Sequence, residues 1–230
     1  MVFRLTRRVA RRLLRGALRL VVLVMVASVA LVLVFRWINP PPGLTMIGEW
    51  IRLGGIERDW VPIAGMADYL PLSAAAAEDA NFCLHHGFDL EGIRAALADD
   101  ARMRGASTIS QQVAKNVFLW QGRTWVRKGL EAGFTVLIEV LWPKRRIMEV
   151  YLNVAEMGEG VFGVQAAAQR YWTLDADGLG PQRSARLMAV LPDPKRRSPG
   201  SGSAFITRRG AQIERGAATI RSDGRADCFL

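Results

Sequence analysis

A chain of 230 residues, half of them hydrophobic, has enough apolar surface for one packed core, which excludes wholesale disorder. The formal net charge of +10 suggests a nucleic-acid partner until the charges are located. Seven of the 31 Lys and Arg residues are Arg4, Arg7, Arg8, Arg11, Arg12, Arg15 and Arg19, so 24 remain against 21 Asp and Glu; the excess belongs mostly to the tail, and a nucleic-acid partner is not expected.

Residues 20–35 are apolar except for Ser28, and Leu18, Trp37 and Ile38 extend the run. About 20 such residues cross a bilayer core as a helix. Residues 18–38 are therefore read as a transmembrane anchor behind a basic tail at 1–17. The arginines before it predict a cytoplasmic N-terminus and an external remainder. A cleaved signal peptide would show a shorter run and an Ala-x-Ala-like site, and none lies near Phe35. Pro40-Pro41-Pro42-Gly43 stops the helix, so 39–43 is read as a linker and 44–230 as the external domain. Cys83 and Cys228 are too few for a disulfide framework, and an oxidising compartment would permit a bond that the sequence does not demonstrate. With only His85 and His86 beside them, a zinc site is not expected.

From residue 73 onward the patterns are helical, and a mainly α domain is predicted. Ser73 can cap a helix through the alanines and Glu78, ending near His85-His86-Gly87, and Asp89 can cap the next, with Ile93 and Leu97 on one face. Thr108-Ile109-Ser110-Gln111 fits a capping box opening a helix to about Trp120, whose apolar stripe is Ile109, Val113, Val117 and Trp120. A helix over about 124–142 is closed by Pro143, with Leu130, Phe134, Leu137 and Leu141 as its expected buried stripe. Ile147, Val150, Tyr151 and Val154 mark another helix that Gly158 ends, and 164–171 a further one. A short strand is expected around 60–63 at best, a loop over 192–202, and a last helix near 204–215.

Three clusters place polar groups where core packing does not explain them. Glu78 follows five small residues and has no cation at i+3 or i+4. Such a carboxylate is either a solvated helix-end acid or a cleft acid with a raised pKa, suited to general-base work. In the segment 105–116, Gln111 and Lys115 share a helix line, as do Gln112 and Asn116; taken alone this fits an ordinary polar outer face better than a site for sugar hydroxyls or phosphate oxygens. Arg123, Arg127, Lys128 and Glu131 form either a surface ion-pair set, worth about 0–1 kcal/mol, or a diphosphate clamp beside a second acid.

In order and spacing, these clusters resemble the family 51 glycosyltransferases, the peptidoglycan polymerases. The pattern E-D-x-x-F-x-x-H-x-G is met by Glu78, Asp79, Phe82, His85 and Gly87. The pattern G-G-S-T-I-T-Q-Q-x-x-K-N is met from Gly105 to Asn116, except at Ala106 and Ser110, and R-K-x-x-E by Arg127, Lys128 and Glu131. K-x-x-I-x-E-x-Y-L-N is met by Lys144, Ile147, Glu149, Tyr151, Leu152 and Asn153, so the likeness spans about residues 58–195. Alanine at 106 strains the turn if the second glycine needs φ > 0.

The resemblance implies a lysozyme-like helical glycosyltransferase domain preceded by a single transmembrane helix. Its substrates would be lipid II and a growing glycan chain. It implies Glu78 as the base and Glu131 as the second catalytic acid. Asp79, Phe82, Ser107, Gln111, Gln112, Lys115, Asn116, Arg123, Arg127 and Lys128 follow as substrate-binding residues. Glu149 and Asn153 are weighed as structural. The sequence requires no cofactor and shows no dedicated metal cage; a divalent cation, Mg or Mn, is what the family often uses. The bacterial inner membrane, with the domain in the periplasm, is the expected location, and proteins of cell division or elongation are candidate partners. The apolar residues Leu44, Met46, Ile47, Trp50, Ile51 and Leu53 are expected to dip into lipid. Only about 35 residues follow the matched region, fewer than the ~100–150 of a typical domain, so polymerisation without cross-linking is expected. Two other classes stay open: a lysozyme-like hydrolase or lytic transglycosylase, which would not require the diphosphate-binding cations, and a weakened, non-enzymatic membrane scaffold.

Overall fold

The computed structural model describes residues 2–92, 94, 107–122 and 124–230, with side chains from residue 9 onward. The expected Ile93–Leu97 face, Ala106 and Arg123 lie outside the described residues. Two compact units divide the chain, Met1–Asn39 and Pro40–Leu230. The first is one helix, α1 (Val2–Phe35), whose segment Val9–Phe35 contains an 18-residue stretch of mean hydropathy 2.9 and has the length to cross a membrane. The helix stops at Phe35, three residues before the expected end of the span, and 36–38 form a turn.

The second unit begins with α2 (Leu44–Leu53), a helix for which the sequence patterns predict no element. Gly43 at its N-cap lies where an added Cβ would meet the Asn116 carbonyl at 2.2 Å, so only glycine lets this entry pass. Strand β1 (Glu57–Arg58) follows, then α3 (Tyr69–Glu78). Ser73 lies inside α3, not at its start. Pro71 falls in the first turn, where its missing N–H costs nothing, so the helix can begin five residues earlier, with Asp68 at its N-cap. Its end is also earlier than expected, because Asp79 departs to φ −161° and ψ 72° and the chain turns through 79–85.

The capping box reads true: the Thr108 hydroxyl accepts from the Gln111 N–H, and the Gln111 side chain returns a bond to the Thr108 N–H, opening α4 (Ile109–Phe118). Helix α5 spans Trp125–Leu141 and α6 spans Lys144–Val154. Strands β2 (Glu156–Gly158) and β3 (Val161–Phe162) complete a three-stranded sheet of order β1-β3-β2, parallel between β1 and β3 and antiparallel between β2 and β3. Helices α7 (Val164–Trp172), α8 (Pro181–Met188) and α9 (Ala204–Ser222) close the chain; α8 was not foreseen, and α9 runs seven residues past its expected end. The strand expected at 60–63 is a loop leading into a 3-10 turn, with pairing displaced to Glu57–Arg58.

Helix α6 is the core axis. Ile147, Met148, Val150, Tyr151, Leu152 and Val154 are all buried, because α3, α4, α5 and α7 pack around it. Asn153 braces the loop by accepting from the Val61 N–H and donating to the Val61 carbonyl, both at 2.9 Å, and Glu149 accepts from the Ile63 N–H at 2.9 Å. These bonds fit the structural weight given to that pair. Small residues let α9 lie close on α3: an added Cβ at Gly216 would stand 3.3 Å from the Ala76 methyl.

Helix α5 departs from its expected orientation. Its inward residues are Arg127, Glu131, Thr135 and Ile138, while Leu130 is 43% exposed and Phe134, Leu137 and Leu141 are half-buried. Trp125 and Val126 stand 93% and 72% exposed. The apolar stripe is rotated outward because the inner face carries the charged groups described below.

Cys83 and Cys228 are joined, closing a separation of 145 residues, with Phe229 packed near Phe82. Cross-linking so long a loop restrains the unfolded chain by about 2–4 kcal/mol. Replacing Cys228 with serine is expected to lower the thermal midpoint by roughly 5–10 °C, read by circular dichroism, and to make that midpoint insensitive to dithiothreitol.

Candidate active site

The end of α3 delivers two adjacent carboxylates into different surroundings. Asp79 is 7% exposed; its Oδ1 pairs with His85 Nε2 at 2.8 Å, and its Oδ2 accepts from the Ile109 N–H at 3.0 Å. His85 Nδ1 accepts from the Gly87 N–H at 3.1 Å, which leaves Nε2 as the nitrogen that donates to Asp79. Ile109 opens α4, so Asp79 answers one of the unpaired N–H groups of that helix start. The next turn is held from both sides. Thr108 Oγ1 donates to the Gly87 carbonyl at 2.7 Å, and Lys144 Nζ donates to the His85 carbonyl at 2.7 Å while lying 4.4 Å above the Phe82 ring. Gly87 has φ +91°, and an added Cβ would meet Thr135 Cγ2 at 2.7 Å, so glycine is required there.

Behind this turn, Glu139 accepts from Lys144 Nζ at 2.8 Å and from the Ser110 hydroxyl. Serine at 110 therefore does what a hydroxyl is needed for. The sequence reading did not single out Glu139: it sits five residues before Lys144 across the Pro143 break, a spacing that carries no helical signal.

Glu78, the last residue of α3, meets α4 instead. Gln112 Nε2 donates to its Oε2 at 2.9 Å. Burial pushes the Glu78 carboxyl above the usual carboxylate range, opposed by the Gln112 hydrogen bond and by the positive charges of Arg209 and Lys115. Lys115, one turn further along α4, is drawn toward its neutral amine by burial and held charged by Glu131 and Glu78. Both glutamates thus act on one ammonium. Glu131, 3% exposed, is the more heavily paired: its Oε2 accepts from Arg127 Nη1 at 2.6 Å and its Oε1 from Lys128 Nζ. Arg127 Nε is further fixed on the Gly122 carbonyl at 2.6 Å.

The structure therefore assembles Glu78, Gln112, Lys115, Arg127, Lys128 and Glu131 into one charged network. Ser107 and Asn116 are half-buried, with no side-chain hydrogen bond among the described residues. Asp79, Phe82 and Gln111 lie outside that network. Asp79 is spent on His85 and Ile109, Gln111 on the capping box, and Phe82, 1% exposed, packs under Lys144 and against Phe229. Their side chains build the site's frame. Arg209 of α9 was missed altogether, since nothing in its own sequence neighbourhood ties it to a glutamate 131 residues away. Among the described residues no three His, Cys, Asp or Glu side chains could hold one metal ion, and both oxygens of Glu131 already carry cations. The donor set does not fit a protein-built metal cage.

A family model described as Transglycosylase matches residues 46–219, which includes every residue of the network. The chain is 53% identical over 219 residues to a protein of Jannaschia sp. (strain CCS1), covering 95% of this chain and 90% of that one. It is 53% identical over 218 residues to one of Xanthomonas axonopodis pv. citri (strain 306), covering 90% and 89%. With one of Rhodospirillum centenum (strain ATCC 51521 / SW) it shares 48% over 235 residues, covering 100% and 98%. All three are named biosynthetic peptidoglycan transglycosylase. By the extent of the matched region and the identity of these relatives, the chain belongs to the transglycosylase family.

Proposed function

We propose that this chain polymerises lipid II into β-1,4 glycan strands with release of undecaprenyl diphosphate. The observation that carries the reading is a half-buried carboxylate and a half-buried ammonium that act on each other through their charges, beside a second acid dressed with two cations. Glu78 takes the proton from the 4-hydroxyl of the acceptor sugar as that oxygen attacks the donor's anomeric carbon. The bond from that carbon to the diphosphate oxygen breaks, its electron pair leaves with the phosphate, and configuration inverts. A carboxylate raised toward neutral pH by burial is a better proton acceptor at working pH than a solvated one. Lys115, Arg127 and Lys128 meet the charge that grows on the departing diphosphate. Glu131 fixes the two cations on α5, since buried charges without partners would not hold position.

The membrane supports the same chemistry. Lipid-linked substrates are confined to a bilayer, and a tethered enzyme works on them at high effective concentration. The arginine-rich tail before the span favours a cytoplasmic N-terminus and a catalytic unit on the outer face of the inner membrane. On α2, Leu44, Ile47, Trp50, Ile51 and Leu53 are exposed while Met46 is buried, so the lipid-dipping surface excludes Met46.

Incubation of the full chain with lipid II is expected to yield glycan polymer, and Glu78→Gln to lower the rate by about 10²–10⁴-fold while lipid II binding persists. Fragments released from finished glycan strands, with no polymer from lipid II, would favour a hydrolase instead. For residues 40–230, Trp50→Asp with Ile51→Asp is expected to cut vesicle association by roughly tenfold or more in a flotation assay, and an unchanged partition would dispose of the lipid-dipping surface.

A further inference from the structure

Helix α9 reaches the end of α3 from far along the chain. Arg209 Nη2 donates to the Ala77 carbonyl at 3.1 Å. That carbonyl is one of the four at the end of α3 with no partner inside the helix. A cation is also favoured there, because the helix dipole is negative at its C-terminal end. Two further attachments from the same part of the chain grip the turn that follows α3: Arg225 Nη1 donates to the Ala80 carbonyl at 3.2 Å, and Cys228 is bonded to Cys83. The glycosyl-transfer steps set out above make no use of Arg209, and it lies outside all four sequence patterns.

We propose that Arg209 is a positioning residue for the reaction, fixing the last turn of α3 and lending the Glu78 carboxylate a permanent positive charge. The inference rests on Glu78 as the base. The charged and titratable groups that act on Glu78 are Asp79 beside it, Lys115 of α4, Tyr151 of α6 and Arg209 of α9. Burial and Asp79 favour the neutral acid; the Gln112 amide, Arg209 and Lys115 favour the carboxylate, and Arg209 outweighs Lys115. The two cations differ in what they can be relied on to do. Burial draws Lys115 toward its neutral amine, and its charge is engaged when a diphosphate binds. A guanidinium stays charged at every working pH, and this one is held on backbone. Without it, the balance at Glu78 shifts further toward the neutral acid, which burial and Asp79 already favour.

The test follows kcat/KM for glycan synthesis from fluorescent lipid II against pH, with the full chain in detergent. Removing a neighbouring cation raises a carboxyl pKa, so in Arg209→Gln the ascending limb is expected to move up by about half a unit to one unit. At pH values below the limb, kcat/KM then falls about three- to tenfold, while KM at the pH optimum stays within about twofold, since Arg209 does not touch substrate. Arg209→Lys is expected to return the limb to its wild-type position. An unmoved limb in Arg209→Gln overturns the proposal, whatever happens to the rate, and so does a limb that lysine fails to restore. Arg209→Met, which keeps the length of the stem, replaces the glutamine variant if that one does not fold; failure of both to fold also overturns it, because the residue would then serve the fold alone. Glu78→Gln run alongside separates the two claims. Wild-type rates in that variant sink the base assignment itself, whereas an inactive Glu78→Gln with an unmoved Arg209→Gln limb sinks only the role given to Arg209.

Discussion

Asp79 accepts one bond from the His85 ring and another from the first backbone N–H of α4, and those two bonds determine where Glu78 and Lys115 stand with respect to each other. A helix start left without acceptors in a buried place costs free energy, and a buried carboxylate left without donors costs more. Meeting both needs with one side chain locks the end of α3 to the start of α4. Glu78 then falls opposite Gln112 one turn into that helix, and Lys115 follows three residues later. The rest of the frame secures the same junction: Thr108 and Lys144 hold the turn at 85–87, and the positive φ of Gly87 lets Thr135 and Glu139 approach.

On that frame sits a chain of alternating charge that runs from Glu78 through Lys115 to Glu131 and on to Arg127 and Lys128. Taken one by one, the members are expensive to bury; together they offset each other, and removing one leaves its neighbour exposed to the full penalty. Such an arrangement is poorly explained by stability, because well-packed apolar residues serve a fold at least as well. It is well explained by a reaction that moves a proton at one end and expels a dianionic group at the other. The family membership and the geometry point the same way.

What could be read from sequence was what depends on neighbours in the chain. The capping box at Thr108–Gln111 is such a case: both partners lie within one turn and the pattern alone specifies the bonds. The start of α3 was misread because Ser73 is a good cap in isolation, while Pro71 also allows a helix to begin upstream. The stripe on α5 was misread for a different reason. Periodicity shows that a helix has an apolar side, but not whether that side faces protein or lipid, and here Glu131 and Arg127 claim the interior. The roles of Asp79 and Phe82 were legible only as members of a pattern; their bonds to His85, Ile109 and Lys144 arise from contacts across the fold. Arg209 and Glu139 had no local signature at all.

The outward row on α5 has a consequence for the protein as a material. Trp125, Val126, Val136 and Val140 lie on the surface of a unit whose charged groups are partly turned inward, and α2 adds a second greasy flank. Residues 40–230 are thus an amphiphile in their own right, α1 aside. Removing α1 leaves both apolar flanks in place, and substitutions chosen to improve behaviour in dilute buffer would fall on those flanks.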